Sequence, residues 1–108
     1  MFKVIPATSF KKDAKPLLKK YASLREELLE LGEELAQDPK LWVPLGKSCF
    51  KIRIAIKSKG KGKRGGARVV TYVVTENEEV ILLTIYDKKV KADLHPNELD
   101  ELLSDLII

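Results

Sequence analysis

Apolar positions recur along this chain with two different periods, and the change from one to the other falls near residue 48. "FKVIPAT" reads as a short opening strand, with Val4 and Ile5 as its apolar content and Pro6 marking a sheet edge or strand end. Helical spacing follows. Phe10, Ala14, Leu17, Leu18 and Tyr21 fall on one side, lysines on the other, and Thr8 or Ser9 is the expected N-cap. Pro16 lies inside this pattern and predicts a kink or a later helix start. In the second helix Ser23 and Glu26 match the S-x-x-E capping box, and Leu24, Leu28, Leu31 and Leu35 form one stripe. Glu26, Glu27, Glu30, Glu33 and Glu34 make its outer surface acidic, and "DPK" ends it.

From Ser48 onward the period is two. Ile52, Ile54 and Ile56 alternate with Lys51, Arg53 and Lys57, as in a sheet with one solvated face. "ARVVTYVV" and "EVILLTIYDK" add two strands across a turn at 76–79, giving an antiparallel meander. With both helices preceding the meander, the expected architecture is α+β: a small antiparallel sheet carrying two N-terminal helices on one face. "HPNELDELLSDLII" is a last helix or a tail, with Pro96 at the helix start. The order is β-α-α-β-β-β plus that C-terminal element, one domain over 1–108.

The composition, 44% hydrophobic and 33% charged, is that of a soluble globular chain rather than a disordered one. No apolar run approaches membrane-spanning length and the first residues lack a signal-peptide core, so a cytoplasmic location is expected. The lone Cys49 has no disulfide partner or metal-ligand neighbours and reads as a buried structural thiol.

Charge changes the picture more. The net +4 conceals ten Lys/Arg and no acid between Pro39 and Thr75, against ten positives and sixteen acids elsewhere. One face should therefore attract a polyanion while the rest repels it. The densest part is "KSKGKGKRGGAR", residues 57–68. Gly60, Gly62 and Gly65 match G-x-G-x-x-G, but here the motif joins strand to strand and offers a pyrophosphate no helix N-terminus. A Walker A loop fails because Gly66 follows Gly65 where lysine is required. A nuclear address is disfavoured by the placement of the run as a loop between strands of a folded domain. Nucleic-acid binding uses every feature: Lys57, Lys59, Lys61, Lys63 and Arg64 for phosphates, Arg53 on the wet strand face, and Gly65 and Gly66 for positive φ and close backbone approach. Arg68, held on a strand, suits a bidentate phosphate clamp.

"SFKKDAKPLLKKYASL", "KIRIAIKSKGKGKRGGARVVTYV" and "VILLTIYDKKVKADL" together resemble the RelE/ParE superfamily of bacterial toxins from type II toxin–antitoxin systems, with the RelE- and HigB-like branch the most similar. The G-G-A-R-V-V-x-Y and L-x-x-I-Y-D-K segments carry the resemblance. It implies an endoribonuclease that cuts mRNA in the ribosome without metal or cofactor, and an antitoxin partner that silences it. The 2′-hydroxyl attacks the adjacent phosphate and leaves a 2′,3′-cyclic phosphate. By position, Arg68 is the phosphate ligand, Lys61 the proton acceptor whose like-charged neighbours favour its neutral form, and Lys88 the basic residue after the last strand. Where some relatives carry histidine or tyrosine, this chain reads "DKKVKADL"; Tyr86 is the nearest aromatic, either a base-stacking platform or a strand tyrosine. His95 stands further on and reads as a helix-cap or surface residue. Two alternatives remain open at this point, a ParE-like toxin acting on DNA gyrase and a non-catalytic nucleic-acid-binding module.

Overall fold

The computed structural model describes residues 1–106 except Leu41, Lys61, Lys63 and Arg64. Five strands form one sheet in the order β1-β5-β4-β3-β2: β1 (Lys3–Pro6), β2 (Val43–Gly46), β3 (Cys49–Ile54), β4 (Ala67–Val74) and β5 (Glu79–Asp87). Two helices, α1 (Thr8–Lys20) and α2 (Leu24–Gln37), cover one face, and a short α3 (Glu98–Ser104) lies against the other. The architecture is α+β, as expected, with three differences.

The sheet is mixed. β1 runs parallel to β5, pairing Lys3 with Glu79 and Pro6 with Leu82, while β2 to β5 pair antiparallel. β2 is a strand that the apolar pattern does not announce, because Pro44 and Gly46 interrupt it. Proline is tolerated there because β2 is an edge strand, with one side of its backbone outside the ladder. The hairpin into β3 turns on Lys47 and Ser48, both at positive φ (55° and 61°), the backbone signature of a two-residue type I′ turn. Finally, neither Thr8 nor Ser9 caps α1. Its N-cap is Ala7, and Ser9 Oγ donates instead to the Leu83 carbonyl (2.6 Å), tying the helix to β5. Pro16 stands inside α1 without moving its start.

The helix-facing core joins Phe10, Ala14 and Tyr21 of the α1 segment and Leu24, Leu31 and Leu35 of α2 to Ile52, Ile54, Ile56, Val69, Val73 and Ile85 of the sheet. The alternating isoleucines all point inward, as their period requires. Leu18, placed on the α1 stripe by its spacing, is 40% exposed. Between β4 and β5 the register shifts: Val70 faces Thr84 but Thr71 faces Leu82, so Leu83 is the extra residue of a β-bulge. Leu82 therefore enters the helix-side core while Leu83 joins Cys49, Val70, Tyr86 and Leu102 on the other side. Cys49 is fully buried, and desolvation pushes its thiol up to about 11, against the opposing pull of Lys47.

Gly66 immediately precedes β4 and lies against the end of β3. A Cβ there would stand 1.9 Å from the Ile54 carbonyl oxygen, so no side chain fits without moving backbone. Positive φ occurs at Gly60 (72°) and not at Gly66, and it closes the short 3-10 turn Lys57–Lys59. Gly66→Ala should lower unfolding free energy by about 2–3 kcal/mol, measured by urea denaturation, whereas Gly62→Ala, whose Cβ meets nothing, should change it by under about 1 kcal/mol.

Candidate nucleic-acid interface

Because Ile52 and Ile54 point into the helix-side core, Lys51 and Arg53 project from the opposite face of β3. The register then sets Arg53 beside Arg68 on β4, and Arg68 beside Tyr86 on β5. Like charges directly opposite each other on neighbouring strands are unfavourable, so packing alone would not select this arrangement. Arg53 is exposed, whereas Arg68 is only 4% exposed and donates from Nη1 to the Ala67 carbonyl at 3.1 Å. Burial, and then Arg53, lower the Arg68 pKa from its usual range, while Tyr86 and Asp93 pull the other way. An arginine still stays protonated under such pressure. Two neighbouring cations, one of them desolvated, make a place where an anion lowers the energy.

The basic loop leaves β3 through the 3-10 turn, and α2 grips that turn. The Lys57 N–H donates to Glu27 Oε2 (2.7 Å) and the Ser58 N–H to Ser23 Oγ (2.9 Å). Ser23 therefore does not make the capping box expected with Glu26. Its hydroxyl donates to Glu27 Oε1 (3.1 Å) and accepts from the loop. Lys57 is exposed beside this anchor. Lys59, expected among the phosphate-facing cations, is turned inward. Its Nζ lies 2.7 Å from Asp87 Oδ1, with side chains only 6% and 3% exposed. The Tyr21 hydroxyl donates to Asp87 Oδ2 at 2.6 Å and the Lys89 N–H to Oδ1 at 2.9 Å. The Lys59 ammonium also sits 5.3 Å from the Tyr21 ring centroid. Burial on its own raises the Asp87 pKa, but the hydrogen bonds from Lys59, Tyr21 and Lys89 win and hold it at about 2. Lys61, Lys63 and Arg64 lie outside the described residues.

No known family model matches the chain. Among solved structures, the isolated E. coli RelE toxin aligns over 100% of both chains with a TM-score of 0.59 and 17% identity. An E. coli RelE variant with two arginines changed to alanine, in the free state, aligns over 95% of this chain and 90% of its own, with a TM-score of 0.57 and 18% identity. The fold is that of the RelE toxin.

On this RelE-like sheet the remaining candidates fall at the exit of β5. Tyr86 is 6% exposed, and its hydroxyl reaches Asp93 Oδ1 at 3.4 Å under the Lys91 ammonium, 5.4 Å from the ring centroid. Burial first, then Asp93, push its hydroxyl up to about 12. It is a covered strand tyrosine here, with no open ring face offered to a base. Lys88 is partly exposed and its Nζ donates to the Ala92 carbonyl (3.1 Å). His95 is an exposed residue of the turn into α3, its N–H donating to Glu98 Oε1 at 2.8 Å. The sequence reading missed the Tyr21–Asp87–Lys59 cluster and the closeness of Asp93, since both depend on partners dozens of residues apart. Among the described residues, no group of three His, Cys, Asp or Glu side chains is placed to hold a metal ion.

The buried pair carries a pH signature. Asp87 titrates below its ordinary 3.8, so its stabilisation is complete above that value and disappears as pH falls toward 2. Between pH 4 and 2 the wild-type chain should lose on the order of 2 kcal/mol more unfolding free energy than Asp87→Asn, measured by denaturant titration at each pH. At pH 7 the same variant should be destabilised by about 3 kcal/mol because it strands the Lys59 charge. A wild-type-minus-variant difference that stays flat with pH would show that Asp87 is not held low.

Proposed function

We propose that this chain is the toxin of a type II toxin–antitoxin pair, an endoribonuclease that cuts mRNA on translating ribosomes without a metal ion. The observation that carries this reading is the Arg53–Arg68 pair set side by side on a RelE-type sheet, next to the basic loop. In the reaction the ribose 2′-oxygen forms a bond to the neighbouring phosphorus. The bond to the departing 5′-oxygen breaks, leaving a 2′,3′-cyclic phosphate and a 5′-hydroxyl. Negative charge grows on the non-bridging oxygens; in this reading Arg68 binds them and Arg53 steadies the flanking phosphate. Lys61 takes the 2′-hydroxyl proton and Lys88 supplies one to the leaving oxygen. Lys57, Lys63 and Arg64 hold the RNA backbone without reading sequence.

The partners of this reading are mRNA, ribosomal RNA and a cognate antitoxin. Mapping 5′ ends of a defined mRNA tests it: cuts should appear at codon positions when ribosomes translate and be absent from the same mRNA without ribosomes. Arg68→Ala should reduce cutting at least about 100-fold while leaving antitoxin binding within a few-fold. Absence of cutting by folded wild-type protein, with cleavage complexes formed on DNA gyrase instead, would replace this reading by the ParE-like one.

A further inference from the structure

The chain after Lys91 contains five acids and no lysine or arginine: Asp93, Glu98, Asp100, Glu101 and Asp105. This acidic segment folds back on the basic sheet face. Asp93 Oδ2 lies 3.5 Å from Lys51 Nζ, its other oxygen meets the Tyr86 hydroxyl, and its charge acts on Arg68. Asp100 pairs with Lys47 in the β2–β3 turn, and Glu98 pairs with Lys91 at 2.6 Å. Below these contacts Leu102 joins the buried cluster of Val70, Leu83 and Tyr86, which places α3 over this side of the sheet. We propose that residues 93–106 form a built-in competitor for RNA, with the Asp93 carboxylate standing where a backbone phosphate binds and α3 covering the strand residues around it. This rests on the nucleic-acid reading of that face and adds its regulation.

The balance of forces suits a strap that releases. Asp93 and Asp100 are more than half exposed, and ion pairs of that kind are weak and screened by salt. A polyanion brings several phosphates at once and releases counterions, so it outcompetes single carboxylates. The apolar seat of Leu102 keeps the strap down in its absence.

The test compares two charge-matched variants. Asp93→Asn with Asp100→Asn cuts the strap's ties; Glu30→Gln with Glu33→Gln removes the same charge from the exposed side of α2. With a 12-nucleotide single-stranded RNA followed by fluorescence anisotropy, the strap variant should bind about tenfold tighter than wild type, and the α2 variant less than about twofold. In wild-type protein, saturating RNA should remove hydrogen-exchange protection at the Leu102 and Leu103 amides while the β4 amides stay protected. Equal gains in the two variants, or α3 amides that remain protected with RNA bound, would overturn the strap and leave the nucleic-acid reading intact. Failure of all three proteins to bind RNA would overturn both.

Discussion

The buried ammonium of Lys59 against the carboxylate of Asp87 fixes where everything else at the basic end of the molecule sits. Taking both charges out of water costs several kcal/mol each, and the pair holds only because the Tyr21 hydroxyl and the Lys89 N–H fill the remaining acceptor sites. Three segments far apart in the chain meet at this point: the end of α1, the start of the basic loop and the exit of β5. The ion pair thus makes the loop's first turn part of the rigid body, and α2 adds a second grip through Ser23 and Glu27. A lysine that looks like one more phosphate contact is the peg from which the loop hangs.

The two sides of the sheet are built on different principles. Towards α1 and α2 the strands present isoleucine and valine, and the packing there carries the stability. Towards α3 the central strands set two arginines abreast with a tyrosine, and they tolerate the repulsion because the same strands are locked from behind. Local rules broken on a rigid support are where functional sites are expected, and the proposed function rests on this face. The repulsion is electrostatic, and the negative charge of Asp93 already works against it at Arg68.

What the sequence discloses and what it hides divides along the range of each interaction. The isoleucines at 52, 54 and 56 reveal their strand and its wet face because the alternation is local. The leucine stripe of α2 is legible for the same reason, and Leu24, Leu31 and Leu35 are buried as it implies. The strand arginine was legible as a candidate by residue type and position; its neighbour Arg53 became its partner only through register. Lys59 is indistinguishable from Lys57 by any local rule, since its fate depends on an aspartate in another strand. β2 was hidden by Pro44 and Gly46, residues that usually break strands and here only mark an edge. The parallel pairing of β1 had no local signal at all. Gly66 was legible as a close approach, although the left-handed turn belongs to Gly60.

That parallel pairing reaches beyond the finished fold. β1 lies at the very start of the described chain, and its sole neighbour in the sheet is β5, with Lys3 opposite Glu79. During synthesis β1 must wait, unpaired, until β5 has been made. Closing so long a loop before any contact rewards it slows folding and raises contact order. The parallel edge of the sheet is therefore the part that closes late: β1 has no ladder to join until β5 exists.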